Sequence, residues 1–171
     1  MNPSIIYLIS LVVVCLTMIL IIRNFIINEQ NRRAAEIRKQ SAEKSLLMRL
    51  QAYERLVVFL ERLNPDNLIF RNLKKGTDKP IVTQAKVLQS IREEYDHNIS
   101  QQIYVSSNAW TLVKTAKEEV AKAVNISIMK INPTSNSMEY MKQVLESFNE
   151  LEKNPIAMAN EYIKQEVRKL Y

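Results

Sequence analysis

A single glycine, Gly76, occurs among the 171 residues of this chain, and that scarcity limits the available folds more than any other feature. Glycine supplies the positive φ angles of β-turns and the close backbone approach of phosphate-binding loops. Hairpins, dinucleotide-binding folds and P-loops are therefore disfavoured. The sequence predicts an all-α protein, and its single cysteine, Cys15, excludes an intrachain disulfide.

An uninterrupted apolar run lies near the N-terminus. Ile5 to Ile22 include no charged side chain, and about 20 apolar residues in a helix span a hydrocarbon core. The run predicts a single transmembrane helix within residues 1–27. A secretory signal peptide needs a basic start and small residues at a cleavage site. Neither feature is present, so we expect the helix to be retained as an anchor.

Cations follow the apolar run closely but do not precede it. By the positive-inside rule, this asymmetry predicts a short N-terminus outside and the remaining chain in the cytoplasm. Anionic lipid headgroups attract such cations, so we expect the lipid bilayer and its headgroups as partners. The membrane-surface basic cluster consists of Arg23, Arg32, Arg33, Arg38 and Lys39.

Residues 28–45 contain neither glycine nor proline and few apolar side chains, which predicts a basic helical neck. A tract that binds nucleic acid interleaves aromatic residues with cations. No aromatic residue lies between Phe25 and Tyr53, so we expect no nucleic-acid partner. Apolar heptads begin only near Leu46 and number about two, fewer than a coiled coil needs. Dimerisation through the neck stays open.

Residues 46–171 show helical apolar periodicity and predict a small cytoplasmic bundle of four or five helices. Between the first two helices, residues 65–82 lack a clear period and predict a flexible surface loop with a short ordered piece around Leu68–Phe70. The predicted helices run from Leu46 to Leu63, from the N-cap Thr83 to Val105, from Ser106 or Ser107 to Asn132, from Ser137 to Lys153, and from Pro155 onward with Asn154 as N-cap.

The only histidine, His97, lies in the stretch REEYDHN at residues 92–98. Glu94 and His97 have the Glu-x-x-His spacing of carboxylate-bridged metal sites, which makes them weak candidates for metal ligands. An apolar face centred near Leu88 and Ile99, however, turns Glu93, Glu94 and His97 outward. We therefore expect a charged surface, with no metal and no cofactor.

Two stretches, LQAYERLVVFLERLNPDNL (50–68) and LQSIREEYDHNISQQIYVSSNAW (88–110), are followed by VKTAKEEV (113–120). Together they resemble a family of uncharacterised single-pass membrane proteins from Bacteroidota. The resemblance implies a bacterial origin, hence the inner membrane, and an anchored helical architecture. It implies no activity and no functional residues.

These features favour a non-enzymatic, membrane-tethered adaptor or scaffold at the cytoplasmic face, bound to an unknown protein partner, with a second copy of the chain among the candidates. Catalysis is disfavoured because Cys15 lies in the anchor and His97 is the only histidine base. The alternative is a structural subunit of a larger membrane complex, although its stalk would need a long helix and prolines interrupt this chain. A metal-binding or enzymatic bundle centred on His97 is the third hypothesis.

Overall fold

The computed structural model describes residues 3–72, 78–132 and 134–170, except for the side chains of residues 6, 8 and 10, and every regular element in these ranges is helical. The predicted all-α class is confirmed, as is a long apolar helix at the N-terminus. The elements are α1 (Pro3–Leu63), α2 (Pro65–Asn72), α3 (Pro80–Asn98), a 3₁₀ helix (Ile99–Ile103), α4 (Ser107–Ser127), α5 (Ser137–Asn149) and α6 (Pro155–Arg168).

Helix α1 is continuous over 61 residues. It joins three segments that the sequence separates into an anchor, a neck and a first bundle helix. No glycine or proline lies between Pro3 and Pro65, so no residue in this range interrupts the backbone hydrogen bonds of the helix. Contacts divide the chain into two compact units, one ending at Ser45 and one beginning at Leu46.

The loop expected over residues 65–82 is wrong in its first part, where α2 forms. Pro65 occupies the first turn, the position at which a missing N–H costs least, and Asp66 places a carboxylate at the positive end of the helix dipole. Leu68 then anchors the helix in the core, with 1% of its surface exposed. Gly76 and its neighbours 73–77 lie outside the described residues.

The N-cap of helix α3 lies four residues before Thr83, the N-cap expected from the sequence. Lys79 is the N-cap and Pro80 the first helical residue, while Thr83 is buried inside the helix. The α-helix also ends before the expected Val105, because the chain tightens into the 3₁₀ helix after Asn98. The Asn98 side chain bonds back to the carbonyl of Glu94 (2.8 Å) at this transition.

The N-termini of the last three helices are capped by side chains. Ser106 accepts a hydrogen bond from the Ala109 amide (3.0 Å), which resolves the choice between Ser106 and Ser107. Asn136 caps α5, and Asn154 accepts from the amides of Ile156 and Ala157 ahead of α6. Helices α4 and α5 end at Ser127 and Asn149, a few residues before the ends expected from the sequence.

The core of the second unit is apolar and receives side chains from all six α-helices. Buried hydroxyl groups within it connect α4 with α5. The Ser127 hydroxyl lies 3.1 Å from the Ser147 hydroxyl and 2.6 Å from the Ala123 carbonyl, and Tyr140 donates to the Val124 carbonyl (2.8 Å). These bonds give the hydroxyls partners away from water, which limits the cost of burying them.

We expect replacement of Tyr140 by phenylalanine to change how stability depends on pH. Burial raises the pKa of Tyr140 above its ordinary value of 10.0. Below that ordinary value both states keep the proton; above it the unfolded state loses the proton first, so stability falls as pH rises. Tyr140→Phe removes this contribution, and near pH 8 it costs only about 1 kcal/mol for the lost hydrogen bond.

The measurement is urea unfolding near pH 8 and near pH 11, with wild type as reference. The variant's deficit should shrink or reverse at the higher pH. A deficit that is the same at both pH values contradicts a buried, neutral Tyr140.

Candidate functional surface

Glu94 does not face outward, contrary to the sequence prediction. Its carboxylate oxygens lie 2.9 and 3.0 Å from Nη1 of Arg62 on α1, and Nη2 of Arg71 on α2 is 3.2 Å away. Only 18% of the Glu94 side chain is exposed. The buried face of α3 explains this, since it runs through Thr83, Val87, Ile91 and Asn98 and therefore includes position 94. Glu94 joins three helices.

His97 and Glu93 are exposed, as predicted. With Glu94 they line a shallow hollow of about 310 Å³ that also includes Arg62 and Arg71. The guanidinium groups of Arg62 and Arg71 already form ion pairs with the Glu94 carboxylate, and Gln89 donates a hydrogen bond to Glu93 (2.8 Å). In the described ranges, no group of three or more His, Cys, Asp or Glu side chains is arranged to hold a metal ion.

Neutralising Glu94 should lower stability slightly but measurably. Glu94→Gln keeps the shape and removes the charge that pairs with both Arg62 and Arg71. Because Arg62 is half-exposed, solvent screens the pair, and we expect a loss of about 1 kcal/mol or less. Glu93→Gln on the same helix is the matched control and should be neutral in urea unfolding. Equal effects for the two variants would contradict the bridging role of Glu94.

The predicted basic cluster lies along α1 in the first unit, and its five side chains are exposed. Arg33 pairs with Glu29 through a 2.8 Å contact one helical turn away. The other four cations, Arg23, Arg32, Arg38 and Lys39, form no ion pair with a described residue. Their charge is therefore available to an external anion.

The second unit has an open apolar groove between α1 and α6, with a volume of about 740 Å³. We call it the α1–α6 groove and define it by its apolar residues Leu50, Tyr53, Val57, Val58, Ile163 and Val167. Tyr53 and Ile163 are buried at its base, whereas Val58 remains 51% exposed. Apolar surface at a groove of this kind is typical of binding sites.

The charged residues of the α1–α6 groove are divided between its walls. Glu54 lies on the α1 wall, while Lys164 and Arg168 lie on the α6 wall. All three are exposed and form no ion pair within the part of the chain that the structure describes. The groove thus has an acidic edge and a basic edge beside an apolar strip.

Polar contacts hold the two walls together. The Tyr53 hydroxyl donates to Oε2 of Glu166 (2.5 Å), and Asn160 donates to Oε1 of Glu61 (3.2 Å). Burial, and next the hydrogen bond to Glu166, raise the pKa of Tyr53. Tyr53 therefore stays protonated at neutral pH, as its donor role requires.

A second hollow of about 660 Å³ lies on the other side of Val57 and Val58. Phe70 on α2 contributes to it with 87% of its surface exposed, and Arg62 and Arg71 also line it. Val57 and Val58 therefore connect the two hollows into one apolar surface.

The sequence did not identify this surface as a site. Hydrophobic periodicity places Leu50, Val57 and Val167 on the apolar faces of their helices, but it cannot tell which part of a broad apolar face a neighbour covers. One signal was available: Val57 and Val58 are adjacent apolar residues, so they widen the face of α1 beyond a single neighbouring helix.

The chain is thus an all-helical protein in which α1 is long and apolar enough to cross a membrane. It belongs to DUF7935, a family of unknown function, whose profile matches residues 1–170. The prediction of an uncharacterised family is confirmed to that extent. No curated protein and no solved structure matches the chain.

Proposed function

We propose that this chain is a single-pass membrane protein whose second unit acts as a non-enzymatic helical adaptor or scaffold on the cytoplasmic side. The observation that carries the anchor is the apolar stretch of α1, whose described side chains are all exposed rather than buried in the protein. An apolar stretch of this length would be costly to expose to water, and a bilayer removes that cost.

The cations after the apolar stretch support the orientation. Five exposed Arg and Lys residues follow it, and none precedes it. An external N-terminus and a cytoplasmic second unit agree with the positive-inside rule, and the exposed cations are suited to anionic headgroups. The resemblance to proteins of Bacteroidota supports the bacterial inner membrane as the location.

The adaptor role rests on the α1–α6 groove, since an open apolar strip with charged edges is suited to a protein partner. Enzymatic chemistry has less support. The only histidine is exposed beside carboxylates that bind Arg62, Arg71 and Gln89, and its side chain forms no hydrogen bond with a described residue.

A structural subunit of a larger complex is the second candidate, and one observation favours it. The sequence objection was that prolines leave only short helices, yet α1 extends over 61 residues without a break. A helix of this length is what a stalk requires.

Topology is tested with protease protection of the full chain in oriented membrane vesicles. Residues 46–171 should be digested only when the cytoplasmic face is accessible, and protection of that part contradicts the proposal. Purification from gently solubilised membranes then separates the two candidates. A stoichiometric complex that survives washing indicates a subunit, whereas exchangeable partners indicate an adaptor.

A further inference from the structure

The α1–α6 groove has the charge pattern of a surface that can pair with a copy of itself. A two-fold interface brings the same patch of both subunits together, so the patch must be self-complementary. Here an apolar strip has Glu54 at one edge and Lys164 and Arg168 at the other.

The direction of the two-fold axis decides whether these charges match. If the axis runs parallel to the strip, the edges exchange sides, and Glu54 of each copy faces Lys164 and Arg168 of the other. If it runs across the strip within the interface, each edge faces its own copy, and like charges meet. Only the first arrangement matches the charges, and it makes the two α1 segments parallel.

We propose that two copies of this chain associate in the membrane through their α1–α6 grooves, in a parallel two-fold pair held by the apolar strip and by Glu54 opposite Lys164 and Arg168. This inference rests on the membrane anchor of the proposed function but not on the adaptor role. The occupant of the groove is a second copy of the same chain.

The size of the strip sets the expected strength of the pair. Leu50 to Val58 extend over only about 12 Å of helix, so the strip covers less area than the roughly 800 Å² per partner of a stable dimer interface. The pair should therefore be weak in dilute detergent. Confinement in a bilayer raises the effective concentration of each copy and compensates for a small interface.

The test uses the full chain in lipid vesicles, at a low protein-to-lipid ratio, with donor and acceptor fluorophores on C-terminal tags. Wild type should show energy transfer between copies. The first variant is Glu54→Lys, and the second combines Lys164→Glu with Arg168→Glu. Each variant, when it pairs with itself, places like charges opposite each other. The dissociation constant of the pair in the bilayer should therefore rise by at least about tenfold.

Mixing the two variants gives the sharpest result. In a parallel two-fold pair, the ammonium group introduced by Glu54→Lys faces the carboxylates introduced by the double substitution. The unchanged Glu54 of the double variant likewise faces the native Lys164 and Arg168 of the first. Energy transfer should therefore return in the mixture. A control that reverses two cations elsewhere, Lys114→Glu with Lys142→Glu, should associate like wild type, since both residues are exposed on α4 and α5.

Three results overturn the proposal: no energy transfer for wild type, equal transfer for wild type and both charge variants, or no recovery in the mixture. Val58→Asp is a further check, because Val58 is half-exposed and its replacement should abolish pairing without unfolding the chain. Resistance of every variant to alkaline extraction shows that the anchor is intact, which distinguishes failure of the pair from failure of the membrane assignment.

Discussion

Replacing Val13 and Leu16 together by arginine is expected to release the chain from the membrane. The thirteen Ile, Leu and Val residues between Ile5 and Ile22 favour insertion by about 4–8 kcal/mol in total on a translocon scale. Two arginines near the centre of the segment cost about 5–7 kcal/mol. The equilibrium constant between the inserted and the uninserted chain therefore shifts by several powers of ten towards the uninserted state.

The measurement is alkaline extraction of membranes, followed by the fraction of chain left in the pellet. The control variant combines Ala34→Arg with Ile37→Arg, which adds the same charge at the same spacing to an exposed part of α1. It should stay in the pellet. Equal extraction of both variants, or retention of the Val13→Arg/Leu16→Arg chain, contradicts the anchor.

Truncation of Phe59 should cost about 3–5 kcal/mol of unfolding free energy, because a buried aromatic side chain loses its contacts and leaves a cavity. Phe59 is 1% exposed, and its ring centroid lies 6.2 Å from that of Tyr95. A loss of this size is a large share of the stability of a typical domain, so Phe59→Ala should leave the second unit barely folded.

Phe70 offers a matched control within the same unit. Its surface is 87% exposed, so Phe70→Ala should change the unfolding free energy by no more than about 0.5 kcal/mol. Both values come from urea unfolding followed by circular dichroism. Similar losses for the two phenylalanines would contradict the burial of Phe59 in the core.

The helices could be predicted from the sequence because their signals are local. Proline and capping residues define the starts of α4 and α6, and the absence of helix breakers defines α1. The segment after Pro65 was harder, because its helix depends on the burial of Leu68 by other parts of the chain. Tertiary contacts of this kind override weak local periodicity.

The site was less predictable because it depends on how helices are placed against one another. The environment of Glu94 depends on where the buried face of α3 is centred. If that centre shifts by one residue, the Glu94 side chain moves from solvent to a position beside Arg62 and Arg71. The α1–α6 groove follows from what is left uncovered by neighbours. Hydrophobic periodicity does not show which part of an apolar face neighbouring helices leave uncovered.

The aromatic cluster formed by Phe59, Tyr95 and Trp110 has an experimental consequence for work on this protein. Trp110, the one tryptophan of the chain, lies 5.7 Å from Tyr95, so its ring on α4 reports on α3 and, through Phe59, on α1. Lys117 adds a cation 4.4 Å from the Tyr95 ring. Indole fluorescence therefore comes from one side chain at a junction of three helices. Any rearrangement that parts those helices alters its emission, so the chain carries a built-in optical probe and needs no added dye.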